Sequence, residues 1–302
     1  VVSEIKSLRT ENSKVYELSN GIKRTEYYPT PIHCYDEETN SYEELDCSVH
    51  EYASNEYFES GKHNYKAKFN RNSSNEELFT IEKGACKVAV YAKRSKKNSE
   101  KNLDTKLSDL NSKVFKEAKN HGKDFLGDSD MLNNRNTVFV ENFAKNANLE
   151  YSLCRKGVKE NIVVHKRSRS YNYSFELICE NVIPEYMEAE NRIVFNSTET
   201  GKQIFNIPAP YMVDANGSVS KNVSLEMKHI VKKARESDGI DDKSYIRLTL
   251  IADPEWINAQ ERAFPVKIDP QINTSCESNI CLCQNCSSTS NNGETYVLNI
   301  PS

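Results

Sequence analysis

The chain has 302 residues, of which 37% are hydrophobic and 28% charged, with 40 basic against 44 acidic side chains and a formal net charge of −4. That length supports one large all-β domain or two ordinary domains. Ten glycines and nine prolines exclude collagen-like and proline-rich disordered classes, and no apolar run approaches the 18 residues of a membrane-spanning helix. The mildly acidic balance argues against nucleic acid as the main partner, because phosphate binding calls for a basic surface.

Residue usage favours strands. Sixteen Tyr and eleven Phe stand beside many Val, Ile and Thr residues, all of which suit a pleated, half-buried surface. Lys14–Leu18 and Ile22–Tyr28 flank Ser19-Asn20-Gly21, a hairpin signal. Ile32–Tyr35 and Tyr42–Leu45 flank the acidic turn Asp36–Asn40 and predict a second hairpin. Tyr65–Phe69 and Cys86–Tyr91 alternate as half-buried antiparallel strands do.

Residues 93 to 135 form a polar insertion, rich in Lys and Asn, that is read as helical or disordered. Within it Leu103, Leu107, Leu110, Val114 and Phe115 recur at helical spacing, enough for a marginal helix from about Leu103 to Ala118. A loop insertion is the preferred reading. Strand patterns return at Thr137–Val140, Leu149–Leu153, Asn161–Val164, Tyr171–Leu177, Arg192–Phe195, Lys202–Phe205, Val223–Met227, Tyr245–Leu250 and Pro265–Pro270. No helices intervene, so the pattern predicts an all-β, large antiparallel β-sandwich, supersandwich-like, rather than βαβ units.

Several segments in this order resemble the N-terminal region of bacterial cell-surface or secreted proteins that carry DNRLRE domains and RHS (YD) repeats. The likeness lies in Glu4–Tyr16, in Tyr28–Asp36 followed by Tyr42–Asp46, and in Leu149-Glu150-Tyr151 followed by Gly157–Val163. It continues in Ile207–Ala215 and closes with Asp253–Ile257 and Phe264–Pro270. The resemblance implies an extracellular or cell-wall-associated location and a non-catalytic structural or presentation module, with downstream domains of the same polypeptide and cell-wall or host glycans as partners. It implies no enzyme activity, no cofactor, no nucleic acid and no membrane span. The expected organisation is a module over 1–270 and a Cys-rich tail over 271–302, the truncated start of a following domain.

Chemistry is sparse. Cys276, Cys281, Cys283 and Cys286 crowd together, and four thiolates at this spacing suit a tetrahedral zinc ion. The C-x2-C pair occurs once, however, and in an exported protein local disulfides are the preferred reading, so no metal residue is assigned. Cys34, Cys47, Cys86, Cys154 and Cys179 are dispersed and read as small hydrophobes. The histidines His33, His50, His63, His121, His165 and His229 form no catalytic or metal motif. A carbohydrate-active enzyme would draw its carboxylates from Asp128, Asp130, Asp241 and Asp242, and a glycan-binding module would use strand aromatics such as Tyr171, Tyr173 and Phe175. Turn chemistry accounts for the aspartates and core packing for the aromatics. No catalytic, cofactor-binding or metal residue is therefore assigned.

Overall fold

A computed structural model describes residues 3–51, 56–71, 76–94, 103–107, 137–230 and 243–275, and the backbone of 288–291 and 295–300. The chain divides into two compact units. The first draws on Val1–Asp46, Gly61–Asn64 and Cys276–Ser302, the second on Cys47–Ser60 and Tyr65–Ser275.

In the first unit β1 (Ser3–Glu4), β2 (Ser13–Glu17) and β3 (Lys23–Tyr27) form an antiparallel run. The β2–β3 turn closes through the Leu18 amide on the Ile22 carbonyl at 2.9 Å, with Gly21 at φ +78° where a side chain would be strained. β4 (His33–Asp36) and β5 (Ser41–Glu44) make the second expected hairpin. Two later strands, β25 (Ser288–Asn291) and β26 (Thr295–Ile300), extend the first sheet to the order β1-β2-β3-β26-β25. Thr295–Ile300 pairs on one side with its sequence neighbour β25, Asn291 opposite Thr295, and needs a second partner on the other. The free edge of β3 supplies one, with Tyr296 opposite Tyr27 and Ile300 opposite Lys23.

The second unit is a two-sheet sandwich. Its strands in chain order begin β6 (Val49–Glu51), β7 (Tyr57–Ser60), β8 (Lys66–Asn70), β9 (Glu77–Lys83) and β10 (Cys86–Lys93). There follow β11 (Asp104–Leu107), β12 (Thr137–Ala144), β13 (Ala147–Cys154), β14 (Gly157–Val164), β15 (Asn172–Glu180), β16 (Val182–Met187) and β17 (Arg192–Ser197). The last are β18 (Gln203–Ile207), β19 (Tyr211–Val213), β20 (Val219–Ser220), β21 (Val223–His229), β22 (Lys243–Ala252), β23 (Val266–Asp269) and β24 (Gln271–Thr274), with the short helix α1 (Pro254–Asn258) between β22 and β23. One sheet has the order β21-β22-β15-β10-β9-β8-β7-β6. The other runs β11-β12-β13-β14-β24-β18-β17-β16, and β23 joins β14 to the β19–β20 pair.

Alternation puts one face of each sheet into a shared core. Phe69 and Phe79 of the first sheet meet Tyr151 of the second at centroid distances of 5.7 and 4.9 Å. Phe143 of the second sheet stacks on Phe175 of the first at 5.4 Å and 13°. Tyr171, Tyr173 and Phe175 are all buried on this inner face, which matches core packing rather than exposure to a ligand. Burial of one such ring stabilises by about 1.5–3 kcal/mol, so the aromatic seam is a large part of what holds the sheets together. The all-β sandwich is therefore as the strand pattern requires.

Inside the polar insertion the helical spacing misleads. Asp104–Leu107 is the edge strand β11, paired with Val138–Glu141 of β12, and Leu103 is buried in the core. A four-residue segment beside an open sheet edge gains ladder hydrogen bonds that an isolated, marginal helix cannot match. The remainder of the proposed helix, 108–118, lies outside the described residues. So do Asp128, Asp130, Asp241, Asp242 and His121, and Cys276, Cys281, Cys283 and Cys286.

Candidate functional site

The densest polar chemistry of the second unit sits where three of the sequence motifs converge on β13, β14, β19 and β23. In β13 Glu150 and Tyr151 are neighbours, so their side chains point to opposite faces of the sheet. Opposite them in β14 stand Asn161 and Glu160. Two small networks result, one on each face.

On the core face the Tyr151 hydroxyl donates to Glu160 Oε1 at 3.1 Å, and both residues are buried. Burial disfavours the carboxylate and pushes the Glu160 pKa up to about 8, with the Tyr151 hydrogen bond opposing and the charge of Asp269 adding to the shift. Glu160 is thus neutral at pH 7. Burial, then the proximity of Glu160, holds the Tyr151 hydroxyl well above the usual tyrosine range.

On the outer face Lys267 of β23 reaches Glu150 with Nζ 3.0 Å from Oε1 and 3.1 Å from Oε2, and Asn161 Nδ2 donates to the same Oε1 at 3.1 Å. Beside this trio Lys159 Nζ pairs with Asp269 Oδ2 at 2.9 Å and lies 3.4 Å from the Tyr211 hydroxyl. Burial works against the charge on Lys159, but Asp269 and Tyr211 outweigh it and raise its pKa. Asp214, at the end of the Ile207–Ala215 motif, has a fully enclosed side chain. Its Oδ1 accepts from the amides of Asn216 and Ser218, and its Oδ2 accepts from Arg262 Nη1 at 3.1 Å. The Arg262 guanidinium lies 4.5 Å from the Trp256 ring centroid. Asp253 caps α1 by accepting from the Glu255 amide at 2.8 Å, with Pro254 at the first helical position.

A second cluster belongs to the first unit. His33 is buried, and its Nδ1 donates to the Thr10 carbonyl at 2.8 Å, which leaves Nε2 as the unprotonated nitrogen, 3.8 Å from Glu44 Oε1. Burial lowers the His33 pKa, so the ring is neutral. Arg9 forks onto Glu4 at 2.7 and 2.9 Å and also reaches Glu44 at 3.0 Å. Burial opposes the Glu44 charge, but the Lys14 hydrogen bond and the charges of Lys14 and Arg9 outweigh it and lower its pKa.

Of the other histidines described, His165 and His229 are exposed and His50 and His63 half-buried. Cys34, Cys86 and Cys179 are buried free thiols, and Cys47 and Cys154 are half-buried. Among the described residues no three His, Cys, Asp or Glu side chains come together as metal ligands do, and no helix is long and apolar enough to cross a membrane. The sequence motifs flagged the segments of the outer-face site but not its pairings, because Glu150 and Lys267 lie 117 residues apart.

No protein-family model matches the chain. It is similar to curated proteins of known name. The tRNA nuclease WapA of Bacillus subtilis strain 168 is 26% identical over 276 residues, 91% of this chain and 11% of its own length. The tRNA(Glu)-specific nuclease WapA of Bacillus subtilis subspecies natto is 27% identical, over 91% of this chain and 10% of its own. The tRNA3(Ser)-specific nuclease WapA of Bacillus spizizenii is 26% identical, over 91% and 11%. The chain thus spans about a tenth of the length of the curated relatives it matches.

These relatives correct three expectations. A non-catalytic presentation module, the absence of enzyme activity and the exclusion of nucleic acid all conflict with relatives that are named tRNA nucleases. Net charge misled for a physical reason. The value of −4 describes these 302 residues, which match only about a tenth of each relative, so it carries no information about the surface of the unmatched part of such a protein.

Proposed function

We propose that this chain is part of an exported protein of the DNRLRE/RHS-repeat kind whose whole polypeptide cleaves tRNA. The observation that carries the reading is the match along 91% of the chain to relatives that are each named as tRNA nucleases. The extracellular or wall-associated location comes from the sequence resemblance. RNA cleavage needs an acid and a base that reach the ribose 2′-hydroxyl and the leaving oxygen. The acid–base groups of the site on β13, β14, β19 and β23 are largely buried and paired with one another. Cleavage of tRNA is therefore assigned to the whole polypeptide, with no catalytic residue named among those described.

The test uses the full reading frame of the parent gene. Purified full-length protein is incubated with total tRNA, and the products are resolved on a denaturing gel, with the 302-residue chain assayed in parallel. Discrete tRNA fragments from the full-length protein are the expected result. Intact tRNA under conditions in which the Bacillus subtilis relative cuts would overturn the reading.

A further inference from the structure

The outer-face trio of Lys267, Glu150 and Asn161 holds an amine, a carboxylate and a carboxamide on one oxygen. Lys267 Nζ lies 3.0 Å and Asn161 Nδ2 3.1 Å from Glu150 Oε1. The strand register enforces this meeting. Glu150 stands directly opposite Asn161 across β13 and β14. On the other side of β14, Lys267 pairs with Val163, which places it diagonally across from Asn161 on the same face. Diagonal neighbours on adjacent strands are within reach of a long side chain. The site is also shielded from water: the Glu150 and Lys267 side chains are 10% and 20% exposed and Asn161 is 6% exposed.

We propose that this trio is a site of self-catalysed amide formation, in which Lys267 Nζ becomes bonded to Asn161 Cγ. Glu150 first takes a proton from the Lys267 ammonium, freeing the Nζ lone pair. Nζ adds to Cγ, and the protonated Glu150 carboxyl passes a proton to Nδ2. The Cγ–Nδ2 bond breaks as the carbonyl re-forms, and Glu150 accepts the remaining surplus proton from Nζ. That proton leaves with the departing ammonia as ammonium, and Glu150 ends as the carboxylate it began. No oxidant or external reactant is consumed. The step needs only a positioned general acid–base beside its nucleophile, together with proximity, which is the larger effect.

The product would cross-link β14 and β23, adding a covalent staple to a joint otherwise made of three residue pairs. The neighbouring Lys159 is a poorer nucleophile, because Asp269 and Tyr211 favour its charged form. Amide formation here is independent of tRNA cleavage by the whole polypeptide.

Intact-mass spectrometry of the folded 302-residue chain tests it. The expected mass is that of the sequence less one ammonia, and tryptic digestion should yield one branched peptide that joins the Asn161 segment to the Lys267 segment, uncleaved after Lys267. Glu150→Gln and Lys267→Arg should each restore the full sequence mass, with circular dichroism reporting that both variants keep the β fold. A wild-type protein at its full sequence mass would overturn the proposal. So would one lighter by water, which would mean that a carboxylate and not the Asn161 carboxamide was the acyl donor, or one with Lys159 at the branch.

Discussion

Gly157 opens β14 at φ +155°, where a Cβ would collide with the backbone carbonyl of Ile272 in β24. The approach is fixed from above as well, because the Tyr65 hydroxyl lies 2.7 Å from the carbonyl oxygens of both Cys154 and Gly157. The atoms that a Cβ would meet belong to the backbone of Ile272 and Asn273, so no flexible side chain can swing away to admit it. We expect Gly157→Ala to cost about 2–3 kcal/mol, the range of overpacking in a tight interior. Gly84, at φ +58° with open space around it, provides the contrast. Gly84→Ala should cost only about 1 kcal/mol, the strain of a left-handed backbone alone. Urea unfolding midpoints of the two variants measure the difference, and equal losses would refute the close-approach account.

At the scale of elements, the two sheets of the second unit are held by aromatic side chains that cross between them. Phe79 touches both Phe69 at 5.8 Å and Tyr151 at 4.9 Å and is fully buried. Truncating it leaves a cavity that two flanking rings from opposite sheets cannot jointly fill. Phe79→Ala is expected to destabilise by about 4 kcal/mol in chemical denaturation; a loss below about 1 kcal/mol would mean that the sheets close over the gap. Strands of this kind were legible. The alternation in Tyr65–Phe69, Cys86–Tyr91 and Tyr171–Leu177 marked the faces that the core uses, since a period of two admits only one inward set. Less regular strands were hidden. β16 carries Pro184, tolerated because β16 is the edge of its sheet, and β11 looks helical because Leu107 at its end and Leu103 just before it also satisfy a spacing of four. The outer-face site was legible only as separate motifs. What assembles it is the non-local register of β14 with β23 and of β23 with β19, and pairing between strands so far apart in the chain leaves no local trace in sequence. Function was the least legible, because the chain matches only about a tenth of each relative named as a nuclease, and the groups behind that name need not lie in the matched part.

At the scale of the whole molecule, ionisable groups pull stability in opposite directions as pH changes. Glu4 and Glu176 have lowered pKa values. In Glu4 the Arg9 hydrogen bond is the main cause, while in Glu176 burial opposes the charge and Arg247 and Lys93 outweigh it. Folded groups with depressed pKa values stabilise above their unfolded pKa and lose that contribution as pH falls. His33, buried neutral, acts in the same sense, since the unfolded imidazole takes up a proton at a higher pH than the folded one. Glu160 acts the other way. Its folded pKa of about 8 lies above the unfolded value of 4.5, so between those limits the folded state binds the extra proton. Its contribution is complete below about pH 4.5 and is lost as pH rises through about 8. The size is on the order of several kcal/mol, because a tenfold difference in proton affinity between the folded and unfolded states is worth about 1.4 kcal/mol. Glu160→Gln keeps the shape and the acceptor for the Tyr151 hydroxyl while removing the titration. The stability of the variant relative to wild type should therefore climb from about pH 4.5 to about pH 8 and level off above. Urea midpoints of both proteins across about pH 4 to about pH 9 decide it. Two curves offset by a constant over that range would show that Glu160 titrates as it does in the unfolded chain, and that its burial is relieved by water.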